Sequence, residues 1–271
     1  MSIRLKPQVL NQPVADAWAD AVDSAIHLRR ATTARLPTRT FAGDIGRALA
    51  NPARAWNYLR RWMLLARYAE VPYATIARYR QELVDDREFQ QHLARSLGDA
   101  HSGFSRAAEL YVLVRAVKPG VIVETGVDSG VSSSYILRAL AANGAGTLHS
   151  IDLPNADGGR LAEGRSSGWL VPDALRGRWK LSLGDSRQLL PELLASLDRI
   201  DLFFHDGDHS LENMSFELEQ AFPRLGAGGL LVCDDSTLHT AWDDFCAKHQ
   251  LSPNRIVHMG VVRKRVRQRV P

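Results

Sequence analysis

Cysteine is scarce in this chain. Two residues of 271, Cys233 and Cys246, give neither a disulfide framework nor a zinc-ligand spacing. A reducing, cytoplasmic setting is therefore the expectation. Long apolar runs are also missing. None approaches the roughly 20 residues of a membrane span, and the opening stretch MSIRLKPQVLNQPVADAW lacks the apolar core of a secretion signal. No membrane partner is expected. There is no internal repeat and no low-complexity segment. The dinucleotide fingerprint G-x-G-x-x-G and the G-K-[ST] ending of a triphosphate loop are both absent. Their absence counts against an NAD-type dehydrogenase and a nucleotide triphosphatase.

A net charge of +4 hides an uneven distribution. Residues 1–120 carry +7, residues 121–262 carry −8, and residues 263–271 add five basic side chains. Phosphate backbones require a basic surface, so the acidic central part disfavours a nucleic-acid substrate. The basic tail RKRVRQRV reads as a charged final edge strand, protected against edge-to-edge pairing, in preference to a nucleic-acid contact.

Residues 13–100 read as helices over Ala15 to Arg30, Pro52 to Ala69, Tyr73 to Val84 and Arg87 to Leu97. Prolines 37, 52 and 72 mark the breaks, since a residue before proline is pushed out of the helical region. Arginines and aromatics interleave from Trp56 to Arg67, which reads as a helix with aromatics inward and arginines outward in preference to a nucleic-acid or anionic-ligand surface. From Phe104 the pattern changes. Ala107, Leu110, Val114 and Val117 share a helical face, and Pro119-Gly120 ends that helix. Strands follow at Val121 to Thr125, Thr147 to Asp152, Trp179 to Leu183, Asp201 to His205 and Gly229 to Cys233, with a last strand or hairpin in Arg255 to Arg265. Met214, Leu218, Ala221 and Leu225 mark the helix before the fifth strand. Strands alternating with helices imply right-handed crossovers. The fold class is therefore α/β: a doubly wound, mostly parallel Rossmann-like sheet of six or seven strands. The expected division is a helical N-terminal extension, residues 1–100, and a cofactor-binding domain, residues 101–271.

In such a sheet, ligands bind beyond the carboxyl ends of the strands. The first strand runs into ETGVDSGVS, a glycine-rich turn and a helix start. Glycines there let the backbone approach a nucleotide-like ligand. The second strand ends in Asp152, placed to accept hydrogen bonds from two ribose hydroxyls. The third ends in Gly184-Asp185-Ser186, the fourth in Asp206-Gly207-Asp208-His209 and the fifth in Asp234-Asp235. Any one acid reads most simply as a helix cap or loop residue. Together they line one edge of the sheet. Asp206, Asp234 and Asp235 would come from neighbouring strands. Three converging carboxylates repel unless a cation joins them, and oxygen-only ligands suit Mg²⁺, Mn²⁺ or Ca²⁺. The other reading is that Asp234 or Asp235 caps the following helix.

These residues resemble the class I S-adenosylmethionine-dependent methyltransferases over about Gly103 to Lys264. The resemblance is closest to the metal-dependent small-molecule O-methyltransferases of catechol, caffeoyl-coenzyme A and antibiotic-sugar type. It is carried by ETGVDSGVS and by HDGDHSLENMSFELEQAFPRLGAGGLLVCDD. The resemblance implies that Glu124, Gly126 and Ser132 hold the methionine part of S-adenosylmethionine and Asp152 the ribose. It implies that Asp185 and Ser186 flank the adenine, and that Asp206, Asp234 and Asp235 bind a divalent metal, with Mg²⁺ expected. The implied reaction is O-methylation of a small-molecule acceptor: a natural product, sugar or phenol.

Two residues compete for the role of base. His209 can take a proton near neutral pH without a large shift, whereas Asp208 needs burial or a like charge to become basic enough. A non-catalytic protein on the same fold and a nucleic-acid methyltransferase are the other readings. The second is opposed by HDGD, where a target-base motif of the N-P-P-Y type is absent. Selectivity should come from residues 1–100 and from the insertion Asn155 to Gly177. That insertion reads either as a lid or as a long connection. Trp169 within it reads either as a wall of the acceptor pocket or as an anchor. The helical preface reads as a lid, a homo-oligomer contact, or both.

Overall fold

The computed structural model describes residues 52–97, 107–154, 161 and 164–265. The expected helix Ala15 to Arg30, the boundary near residue 100, residues 155–160 and 162–163 of the insertion and the end of the basic tail lie outside the described residues.

Strands β1 (Val121–Thr125), β2 (Thr147–Asp152), β3 (Trp179–Leu183), β4 (Ile200–His205), β5 (Leu225–Cys233), β6 (Arg255–Ile256) and β7 (Met259–Arg263) form one sheet in the order β3-β2-β1-β4-β5-β7-β6. The first five are parallel to one another, and β7 pairs antiparallel with both β5 and β6. This is the expected mostly parallel, doubly wound, Rossmann-like sheet of seven strands. Chain order reverses between β1 and β4, so the crevice beyond their carboxyl ends is the expected ligand site.

Alternate side chains along the strands point to opposite faces. Ile122, Leu202, Phe204, Leu230 and Val232 enter one buried apolar cluster. Val123, Phe203, Leu231 and Cys233 enter the other. Both faces are therefore covered, as a parallel sheet requires. Helices α6 (Ser186–Ser196), α7 (Leu211–Arg224) and α8 (Ala241–Lys248) cover the second face with Leu190, Met214, Leu218 and Trp242. The first face takes α4 (Ala107–Val117) and α5 (Val131–Asn143), together with α1 (Pro52–Ala69), α2 (Tyr73–Asp85) and α3 (Arg87–Leu97). Trp62, Ile76, Leu83 and Leu93 from these three helices share one cluster with the sheet.

Polar ties join the same parts. The Arg115 guanidinium donates twice to Glu82, at 2.7 and 2.8 Å. Arg138 pairs with Asp86, and Tyr135 reaches Gln90. Arg263 on β7 donates to the Tyr68 carbonyl at 2.8 Å. The strand β5 begins at Leu225, earlier than the expected Gly229. Its glycines 226, 228 and 229 hid it, and the register shifts between Ile200 and Leu202 of its partner.

Candidate active site

The turn after β1 carries the left-handed geometry its glycines permit. Gly126 has φ +83° and Gly130 has φ +93°, and Gly130 opens α5. A Cβ on Gly126 would lie 2.0 Å from the Asp206 carbonyl oxygen. The backbones after β1 and β4 therefore touch, and no side chain fits between them. Asp152, at the end of β2, is buried and accepts from the Asp128 backbone N–H at 3.2 Å. It stands beside the turn.

Glu124 does not face the ligand edge openly. It is fully buried and accepts hydrogen bonds from Ser132, Ser133 and Ser150, at 2.7, 2.6 and 2.7 Å. Burial pushes its carboxyl up to about 7, against the opposing effect of the three hydroxyls. Glu124 and Ser132 thus brace the turn from beneath. Asp185 is the N-cap of α6 and accepts from Arg187 N–H at 2.8 Å. Beside it, the Ser186 hydroxyl lies 3.5 Å from the amide nitrogen of Asn213.

The loop after β4 separates the two candidate bases. Asp208 accepts from both the backbone N–H and the hydroxyl of Ser210, each at 3.0 Å. The backbone hydrogen bond is the main cause that holds its carboxyl below the usual range. It shapes a turn, and its acidity opposes the role of base. His209 is a quarter exposed, with Nε2 3.8 Å from Asp206 and Nδ1 3.9 Å from Asp235. Burial, then the neighbouring His205, pulls its pKa below the ordinary histidine value. The imidazole is therefore neutral and able to accept a proton near pH 7. Its backbone carbonyl is 2.9 Å from Nε2 of His239, a residue with no motif to advertise it.

Asp206, Asp234 and Asp235 do converge. Burial raises the Asp206 carboxyl well above its ordinary value, and the Asp234, Glu124 and Asp235 charges add to that. A hydrogen bond between Asp206 and Asp234 relieves part of the repulsion with a proton. As placed, the three do not fit a metal ion. Among the described residues no group of three or more His, Cys, Asp or Glu side chains is arranged to hold one.

The described part of the insertion is docked against the turn. Gly168 N–H donates to Asp128 O at 2.8 Å, and Leu170 N–H donates to Ser129 O at 3.0 Å. His92 of α3 meets the Leu170 carbonyl at 3.2 Å. Trp169 packs on the first apolar cluster under the Arg165 guanidinium. That placement matches the anchor reading.

Sequence reasoning missed a buried polar cluster under the site. Glu217 of α7 accepts from Thr125 Oγ1 at 2.5 Å and Asn213 Nδ2 at 2.9 Å, and His205 Nδ1 lies 2.6 Å away. The available signal was a carboxylate on the face shared by Met214, Leu218 and Ala221, which the helical period places inward.

Residues 123–236 match the family described as "Methyltransferase domain". No curated protein matches. Solved structures do match at low identity. A methyltransferase from Geobacter sulfurreducens is 22% identical with a TM-score of 0.45, over 66% of this chain and 88% of that one. The O-methyltransferase TomG from Streptomyces achromogenes, described as involved in tomaymycin synthesis and in complex with SAM, is 22% identical with a TM-score of 0.41, over 56% and 65%. The SAH-bound methyltransferase PaMTH1 from Podospora anserina is 15% identical with a TM-score of 0.45, over 99% and 100%.

Proposed function

We propose that this chain, which carries a class I methyltransferase domain, methylates a hydroxyl oxygen of a small molecule with S-adenosylmethionine as donor. One observation carries the reading. The glycine turn and Asp152 lie at the same sheet edge as a neutral His209, and the turn's backbone touches that of Asp206. This juxtaposition supports a donor site and an acceptor site side by side at that edge.

When bound, S-adenosylmethionine supplies a sulfonium methyl open to attack by an oxygen. The protein's own contributions are positional and electrostatic. Gly126 and Gly130 let the backbone of the turn close on the backbones at Asp206 and Gly168. Asp152 would accept from the ribose hydroxyls. His209 would take the acceptor hydroxyl's proton at an imidazole nitrogen as that oxygen bonds to the methyl carbon. The donor, held by the turn and Asp152, would supply the methyl group, the C–S electron pair staying with sulfur. Helices α1, α2 and α3 and the docked strap would wall the acceptor.

A divalent metal is a second reading, favoured by the like charges on Asp206, Asp234 and Asp235. No step is routed through it, because the carboxylates as placed do not fit an ion. Mg²⁺ titration by calorimetry at pH 8 tests it. Heat abolished in Asp234→Asn supports the metal, and no heat in the wild type rejects it.

The donor assignment is tested by calorimetric titration with S-adenosylmethionine. Wild type should bind, and Asp152→Ala should bind at least about tenfold more weakly, the loss of a charge-assisted hydrogen-bond pair. A wild type that does not bind ends the assignment.

A further inference from the structure

We infer that Glu217, which touches no part of the expected ligand path, is a positioning residue that fixes the donor turn and the acceptor loop relative to each other. The inference rests on the donor reading above and concerns the same crevice. Glu217 is fully buried on α7, the helix that packs beneath the carboxyl ends of β4 and β5. Its Oε2 takes the Thr125 hydroxyl at 2.5 Å and stands 2.6 Å from His205 Nδ1. Its Oε1 takes the Asn213 amide at 2.9 Å.

Each partner begins or holds a different loop of the crevice. Thr125 directly precedes Gly126 of the donor turn. His205 directly precedes Asp206, and its ring packs edge to face on His209 at 5.3 Å. Asn213 also reaches the Asp208 carbonyl at 3.4 Å and Ser186 at 3.5 Å. One carboxylate therefore ties the ends of β1 and β4 and the start of α6.

The charge state fits this role. A carboxylate accepts only, so the three neighbours all donate, and the His205 proton is placed on Nδ1. Burial alone would raise the Glu217 carboxyl, yet hydrogen bonds from His205, Ser186 and Thr125 hold it below the usual value. Among the described residues the His205 ring has a single hydrogen bond, since its buried Nε2 has no partner there. The orientation of that ring, and of His209 packed on it, thus depends on Glu217.

The test uses the full chain and S-adenosylhomocysteine as probe. Wild type, Glu217→Met, Glu217→Gln and Thr125→Val are compared by calorimetry well below their melting temperatures. In parallel, ¹⁵N-histidine NMR reads the His205 tautomer. Glu217→Met should bind about tenfold more weakly, as expected for the loss of buried hydrogen bonds, and should lose the Nδ1–H signature. Glu217→Gln, which keeps one acceptor oxygen, should recover most of both. A merely structural residue would lower the melting temperature and leave affinity and tautomer unchanged in the folded fraction, and that result overturns the inference. If Glu217→Met does not fold, Thr125→Val decides. It should weaken binding several-fold with the His205 signature intact, and wild-type affinity would overturn the inference. Failure of the wild type to bind would instead sink the donor reading.

Discussion

Gly126 and Asp206 meet backbone to backbone. A Cβ on Gly126 would sit 2.0 Å from the Asp206 carbonyl oxygen and 2.4 Å from its carbonyl carbon. Neither atom can yield as the end of a flexible side chain would. The Gly126 φ of +83° adds a left-handed strain of about 1–2 kcal/mol for any residue with a Cβ. Gly126→Ala should therefore force the two loops apart. We expect S-adenosylhomocysteine binding to drop more than about tenfold, the loss that 1.4 kcal/mol produces. Gly144→Ala is the control. Gly144 also has positive φ, at +72°, but nothing lies within 4 Å of its Cβ. It should lower the melting temperature slightly and leave affinity unchanged, and equal binding losses in both variants would reject the close-contact account.

Much of the fold was legible because apolar runs and turn residues agreed. β1, β2 and β3 fall at Val121–Thr125, Thr147–Asp152 and Trp179–Leu183, as their bounded apolar stretches indicated. β5 was read short because Gly226, Gly228 and Gly229 look like a loop, although the ladder with β4 already starts at Leu225. The site was legible by place more than by role. Strand ends told where Glu124 lies, but not that three serines from β2 and α5 enclose its carboxyl. The DGDH run named Asp208 and His209 together. Only the Ser210 contacts to Asp208 separate a turn-forming acid from an imidazole in the crevice. Glu217 went unread because one acid on an apolar helix face carries no motif.

Gly168 is the second constrained glycine. A Cβ there would stand 2.1 Å from the Trp179 ring, and its φ is +71°. The same residue donates to Asp128 in the donor turn. Gly168→Ala should lift the strap from the turn. Hydrogen exchange of the Gly168 and Leu170 amides, whose acceptors are Asp128 and Ser129, should quicken, and donor affinity should fall several-fold. Unchanged exchange at these two amides would show that the strap does not depend on this contact.

Arg115 and Glu82 test whether α2 folds with the sheet. Their pair is bidentate, with Arg115 12% exposed and Glu82 34% exposed. Removing one partner of a fully buried pair costs about 3–5 kcal/mol. Partial solvation of Glu82 reduces that to roughly 1–3 kcal/mol. Arg115→Met should lower the unfolding free energy by that amount, seen as a lower urea midpoint, while unfolding stays a single transition. A separate early transition in the wild type would mean that these helices unfold independently of the sheet.

Glu124 gives a pH dependence whose sign can be derived. Its carboxyl is raised from 4.5 to about 7 in the folded chain, first by burial. Between those values the folded protein holds a proton that the unfolded chain releases. The associated stability is complete below about 4.5 and is lost as pH rises through about 7. The size is on the order of 3 kcal/mol, from a shift of roughly two to three pKa units. Glu124→Gln cannot ionise, and the serine hydroxyls around it can rotate to meet the carboxamide. Wild-type melting temperature should therefore fall between pH 5 and pH 8 by several degrees more than that of Glu124→Gln. Parallel melting curves for the two proteins would mean that Glu124 does not titrate in this range.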